Sequence, residues 1–366
     1  MRAWLVAVLL VATAAAADET DYVLKLEAGS EIDSNVHRAP EGSGVVTAPD
    51  ARIGMRLDAS GRAGERGRYA FDAVGAVKGF AGSDASSEDI GVISADGRFE
   101  WIAGTFIPGL RASYYDAFGE QDNALALRTA ETAGSLGLAA GDLRLVAKAG
   151  WRFFAYKPDG AFDFDGPTAG LSIGQRFHSE DAARQLAVGV AYAAGVRRYS
   201  SAALANFCPL GTPVAPSCLA VTALRRSDLF HDLATEITYT GDFIVGLRLG
   251  LQVNDSNSFA QSLIRGRGEL SGTVLLPEDF AVTAKVVLQF DSYIDGLLLG
   301  GDLGTFTTIE DEARNAVILH VTRELTDAWT LEARFAAYWS PFAAQPVAYS
   351  RQTFYLGLVY AFERRK

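Results

Sequence analysis

Residues Trp329 to Ser340 read W-T-L-E-A-R-F-A-A-Y-W-S. Trp329, Leu331, Ala333, Phe335, Ala337 and Trp339 fall on odd positions, and Thr330, Glu332, Arg334, Ala336, Tyr338 and Ser340 on even ones. Side chains of a strand alternate between its two faces, so this stretch is predicted to be a strand with one apolar and one wet face. Both indoles share the apolar face. Their separation of ten residues, at about 3.3 Å each and a tilt of roughly 40°, spans about 25 Å along a membrane normal, the height of the apolar band of a transmembrane barrel.

The same alternation recurs along the chain. Val245, Leu247, Leu249, Leu251 and Val253 oppose Arg248, Gln252 and Asn254; Val282, Ala284, Val286, Leu288 and Phe290 oppose Thr283, Lys285, Gln289 and Asp291. Such runs reach about 11 to 14 residues, past the five or six usual in soluble sheets and suited to a tilted membrane crossing. Tyr239, Phe243, Tyr293, Trp151, Tyr192 and Tyr360 stand near other strand ends, where aromatic girdles are expected. Strand starts are predicted near Tyr22, Ala51, Arg68, Ile90, Phe106, Ala124, Leu143, Phe162, Gln185, Ser227, Phe243, Ser262, Phe280, Ala313, Trp329 and Arg351. The expected fold is all-β, a transmembrane antiparallel up-and-down β-barrel of about 16 strands. Weak alternation over 123–141 and 162–178 leaves 14 and 18 as neighbouring counts. Connections alternate between short turns, such as Gly241 to Asp242 and Pro277 to Asp279, and longer loops, such as Tyr199 to Arg225 and Gly296 to Asp311. That pattern places both termini on the periplasmic side.

Composition agrees. The chain has 366 residues, 49% of them hydrophobic, and a net charge of -11, which excludes disorder and a phosphate-backbone binder, so no nucleic-acid partner is expected. Arg2, the apolar run from Ala3 to Leu10 and the small residues Ala14 to Ala17 read as a secretory signal peptide over 1–17, leaving 18–366 as a single barrel domain. The one later uncharged stretch, Tyr199 to Leu224, is interrupted by Pro209, Pro213 and Pro216 and cannot be a spanning helix. Within it Cys208 and Cys218 are expected to form a disulfide in an oxidising compartment.

The last strand contains Gly357, Tyr360 and Phe362, and resembles the C-terminal assembly signal of bacterial outer-membrane barrels, although Glu363 to Lys366 extend past the aromatic. The resemblance implies an outer-membrane location, a lipid environment and folding by the barrel assembly machinery. Gly29 to Arg38, G-S-E-I-D-S-N-V-H-R, is similar to the first-strand exit of polysaccharide-secretion porins and surface lipoprotein assembly modifiers. That implies export of an exopolysaccharide with periplasmic export proteins as partners. An Asx-rich turn after a strand end is the plainer reading of the same residues.

No enzyme site and no cofactor or metal site is expected. His178, Ser179 and a following Glu180 are adjacent, whereas a triad converges from separate backbone positions. The scattered His37, His178, His231 and His320 do not form a cluster, with His231 and His37 expected near loops. Asn254 to Asn257, and Asp163 with Asp165, read as turn residues rather than calcium ligands. Gly266 and Gly268 are expected to leave lumen space or relieve curvature.

The polar faces carry Arg52, Arg56, Lys78, Arg98, Arg111, Arg144, Lys148, Arg152, Arg248, Arg265, Arg267, Lys285 and Arg334, interleaved with Glu27, Asp58, Asp72, Asp96, Glu100, Glu269, Asp291 and Glu332. Sixteen strands enclose more space than such side chains fill, so these residues are expected to line an aqueous pore. Export of an exopolysaccharide, with Tyr156, Tyr338 and Tyr355 stacking sugars, is the favoured use of that pore; passive diffusion of small solutes is the alternative, and an outer-membrane enzyme or adhesin comes third. Acids of the predicted outer loops, among them Asp84, Glu88, Asp89, Asp116, Glu120, Asp122, Asp159, Asp163, Asp165, Asp295, Asp302 and Glu310 to Glu312, would form an acidic rim able to bind divalent cations.

Overall fold

A computed structural model describes residues 20–39, 44–119, 126–179, 183–209, 212, 216–295, 315–340 and 349–364. The signal peptide, Glu120, Asp122, Glu180, Asp302, Glu310 to Glu312, Arg365 and Lys366 lie outside the described residues.

Sixteen strands follow one another: β1 (Thr20–Asp33), β2 (Ala48–Ala63), β3 (Gly67–Phe80), β4 (Ile90–Trp101), β5 (Phe106–Gly119), β6 (Leu127–Ala140), β7 (Leu143–Tyr156), β8 (Phe164–His178), β9 (Gln185–Asn206), β10 (Leu219–Thr240), β11 (Phe243–Ser256), β12 (Leu263–Leu276), β13 (Phe280–Tyr293), β14 (Asn315–Thr326), β15 (Trp329–Trp339) and β16 (Ser350–Arg364). Each pairs antiparallel with its sequence neighbours, and β1 pairs with β16 to close the barrel. Closure removes every sheet edge, which a bilayer requires because its core offers no hydrogen-bond partner for an open edge.

Alternation converts directly into two surfaces. Register sets Trp329 opposite Tyr360, Leu331 opposite Leu358, Ala333 opposite Leu356 and Phe335 opposite Phe354, all on one face. This outer face exposes Leu26, Ile53, Leu110, Leu136, Phe153, Leu171, Leu251, Phe290 and Phe335. In a soluble protein so much exposed apolar surface would aggregate; here it forms the belt that lipid covers. Trp329 packs on Tyr360 with ring centroids 5.0 Å apart, Tyr22 on Phe362 at 6.0 Å and Tyr239 on Phe243 at 5.1 Å, so aromatic pairs gather at the end carrying the termini and short turns. Tyr293 does not belong to this girdle, because register pairs it with Leu263 on the same face as Arg265 and Asp291, inside the barrel.

Three further expectations are corrected. The stretch Tyr199 to Leu224 is mostly strand: β9 runs to Asn206 and β10 begins at Leu219, both 22 residues long, so the outer loop shrinks to 207–218. Bulges between Val221 and Arg225 and between Arg225 and Ser227 shift the register, and such a shift breaks the period-2 signal without ending the strand. Gly266 and Gly268 pair with Leu251 and Leu249 on the outer face, so they leave no lumen space. His231 sits within β10, away from any loop, on the outer face with its Nδ1 2.7 Å from the Tyr192 hydroxyl.

Cys208 and Cys218 are disulfide-bonded with Cα atoms 5.0 Å apart. Phe207 N–H donates to the Cys218 carbonyl at 2.9 Å and Asn206 pairs with Leu219, so the neck of the loop is already held by the backbone. A Cys208→Ser/Cys218→Ser variant is therefore expected to keep a closed barrel, losing at most about 3 kcal/mol of loop-closure stabilisation. Heat-modifiable gel mobility measures this.

Candidate functional site

The inner face is built from the other parity of every strand. Arg52, Arg56, Asp58, Asp72, Lys78, Arg98, Glu100, Arg111, Arg144, Lys148, Arg152, Arg248, Arg265, Arg267, Glu269, Lys285, Asp291, Glu332 and Arg334 all fall on this parity by register. Many meet in ion pairs across strands: Arg56 with Asp72 at 2.9 Å, Arg111 with Asp96 at 2.8 Å, Arg144 with Glu100 at 2.5 Å, Arg265 with Asp291 at 2.7 Å and Lys285 with Glu269 at 3.1 Å. Among the described residues, Arg98, Lys148, Arg152 and Arg248 make no ion pair. The side chains of Arg111, Arg56 and Arg144 are 64%, 54% and 48% exposed on this inward face. Side chains of a packed interior would be buried, so this part of the lumen is wet.

The wall is not uniformly polar. Val287, Ala316, Ile318, Ala336 and Tyr338 also face inward, on β13 to β15, and form a buried apolar cluster.

A dense ionic seam joins the first and last strands. Arg351 of β16 donates to both carboxylate oxygens of Asp33 on β1, at 2.6 to 3.0 Å, and both side chains are buried. Glu31 receives Lys78 Nζ at 2.6 Å and Arg334 at 3.2 Å, and Arg52 lies 3.4 Å from Glu27. The Tyr355 hydroxyl donates to Glu27 at 2.7 Å while its ring covers Gly29 and Gly357. A Cβ on Gly29 would come within 2.5 Å of that ring, which is why the strand carries glycine there. Gly357, read from the sequence as part of an assembly signal, thus also has a packing role.

Tyr355 is 2% exposed and Tyr338 5%, so neither offers a face to a sugar, contrary to expectation. Burying these rings under arginines stabilises the seam: Arg52 and Arg334 lie 5.8 and 5.6 Å from the Tyr355 centroid, and Arg351 lies 5.5 Å from that of Tyr338. Tyr156 is half-buried against Phe162.

Gly29 to Arg38 is occupied by structural tasks. Asn35 N–H donates to Asp33 at 3.0 Å, and its side chain donates to Ala39 and Ser350 carbonyls. His37 and Arg38 both reach Glu88 in the next outer loop, at 3.3 and 3.4 Å, and Val36 packs with Ala48 and Ala85. These contacts are those of a strand end and its turn.

The acidic rim is less free than its count implies. Asp116 lies in β5 and Asp165 in β8 rather than in loops. Asp116 receives Arg128 at 2.9 Å and Lys157 at 2.5 Å, Asp89 accepts the Phe80 N–H, Asp159 the Ala161 N–H and Asp163 the Tyr156 N–H. Asn254 and Ser256, weighed as cation ligands, donate instead to Asp228 at 2.9 and 2.6 Å. Ser179 exchanges hydrogen bonds with the Arg184 backbone, while His178 turns to Asp142 at 3.7 Å, so the two side chains engage different partners.

Sequence reading missed Asp33, Arg351, Arg226, Asp228, Asp232 and Glu236 as inner-wall charges. Their parity was available, and Asp228, Asp232 and Glu236 recur every fourth residue. Their neighbours were not, since Asp33 and Arg351 stand 318 residues apart.

Comparison with solved structures agrees with this architecture. OmpF of Salmonella typhi, in complex with daunomycin, matches over 94% of this chain and 97% of its own at 9% identity and a TM-score of 0.51. An anion-selective porin from Comamonas acidovorans matches over 94% and 100% at 12% identity and 0.48, and a bacterial polysaccharide outer membrane secretin over 93% and 98% at 11% identity and 0.42. No protein-family model and no curated protein sequence matches the chain. The fold is that of the bacterial outer-membrane porins. Together with the apolar belt and aromatic pairs, it makes this chain a porin-like barrel of the bacterial outer membrane.

Proposed function

We propose that the protein is a passive, porin-like channel for small hydrophilic solutes. The observation that carries this reading is the half-exposed state of inward-facing Arg56, Arg111 and Arg144, which marks an interior filled by water. Water and polar solutes share such a path, while ion pairs on the wall hold its lining in place. The residues assigned above to the inner wall are its lining, and Gly357, Tyr360 and Phe362 are the signal by which the assembly machinery receives it.

Export of an exopolysaccharide is the second reading, favoured by the similarity of Gly29 to Arg38 to secretion porins. It requires periplasmic export proteins, and of the three tyrosines considered for stacking only Tyr156 is not buried. Purified protein in liposomes distinguishes the two. A passive channel admits neutral sugars at rates that fall with solute size and need no partner. Gene deletion that abolishes surface polysaccharide while liposomes stay impermeable would favour export.

A further inference from the structure

The register of β7 to β10 sets charges of opposite sign along two sides of a smooth floor. Lys148 of β7 pairs with Gly170 of β8, Gly170 with Ala193 of β9, and Ala193 with Asp232 of β10, so these four residues form one rung. Four residues along, Arg144, Gly174, Gly189 and Glu236 form another. Between the rungs Ser172 and Ala191 continue the floor. All face inward. Between these two rungs a column of cations and a column of carboxylates therefore flank a floor of Gly, Ser and Ala that carries almost no bulk.

The Lys148 rung is the more polarised. Arg144 is already paired with Glu100, and Glu236 has Arg248 as its cross-strand neighbour on β11. Among the described residues, neither Lys148 nor Asp232 makes an ion pair. Three strand spacings separate their backbones, about 14 Å. A Cβ on Gly170 would lie 2.7 Å from Lys148 Cε, so the lysine stem lies across Gly170 towards the carboxylate side. The glycine makes room for that reach.

We infer that this lane between β7 and β10 is a binding track for small zwitterions of the amino-acid class. The solute carboxylate meets Lys148 and its ammonium meets Asp232. A simple anion would gain at Lys148 and be repelled at Asp232, a simple cation the reverse, and a neutral solute would gain at neither; only a solute carrying both charges is favoured at both. The inference rests on the channel reading of the same lumen.

The test measures osmotic swelling of proteoliposomes at pH 7 with 4-aminobutyrate and with erythritol, a neutral solute of similar size. For the native protein the zwitterion is expected to enter faster than erythritol. Lys148→Gln and Asp232→Asn are each expected to lower the rate ratio roughly two- to five-fold, with heat-modifiable gel mobility reporting intact folding. The exchange Lys148→Asp/Asp232→Lys is expected to restore it. A ratio unaffected by both single substitutions, or one not restored by the exchange while erythritol enters normally, would overturn the track. Exclusion of both solutes by the native protein would instead overturn the channel itself, and the track with it.

Discussion

Arg351→Ala is expected to destabilise the barrel by about 3 to 5 kcal/mol, because it leaves the Asp33 carboxylate buried without its counter-charge. Asp33 is fully buried and takes both of its oxygens to the guanidinium, and the pair bridges β1 and β16, the seam whose closure makes the sheet a barrel. The cost arises from stranding one charge rather than from the net worth of the pair. Asp33→Ala/Arg351→Leu, which removes both charges, is therefore expected to recover most of the loss. Urea unfolding from phospholipid vesicles, followed by tryptophan fluorescence, measures both variants. A single variant as stable as the native protein would show that the seam does not depend on this pair.

Phe335→Arg is expected to cost about 2 to 4 kcal/mol in the same assay, since Arg on the lipid face near the bilayer midplane loses its hydration without gaining a partner. Phe335 lies between Trp329 and Trp339 on the outer face and is exposed there, so the substitution relieves no packing and adds only charge to hydrocarbon. Thr330→Arg on the same strand points into the lumen and is expected to leave stability within about 0.5 kcal/mol. The contrast separates an outer face wetted by lipid from one wetted by water. Equal effects at the two positions would contradict the assignment of faces.

Both predictions use what alternation made legible. Period 2 in Trp329 to Ser340 identified which residues face lipid, and fifteen of the sixteen strands begin within three residues of the positions read from such patterns, as the register of a two-faced strand demands. The largest miss, β10, starts at Leu219 rather than near Ser227 because two bulges erase the alternation between Val221 and Ser227. β8 alternated poorly for another reason: the middle of its inner face is Gly166, Thr168, Gly170, Ser172 and Gly174, too small to contrast with the outer face. That weak signal was the floor of the proposed track. Parity could place Lys148 and Asp232 on the inner wall, but it could not show that two strands of small residues lie between them. The burial of Tyr338 and Tyr355 escaped in the same way, since the arginines that cover them come from other strands.

Current through single molecules measures the aqueous path most directly. Purified protein, confirmed as folded by heat-modifiable mobility, is added to a planar lipid bilayer without any partner. Stepwise, ohmic conductance increments that persist at low voltage are the predicted result. Folded protein that inserts and yields no conductance would contradict an aqueous path through this barrel.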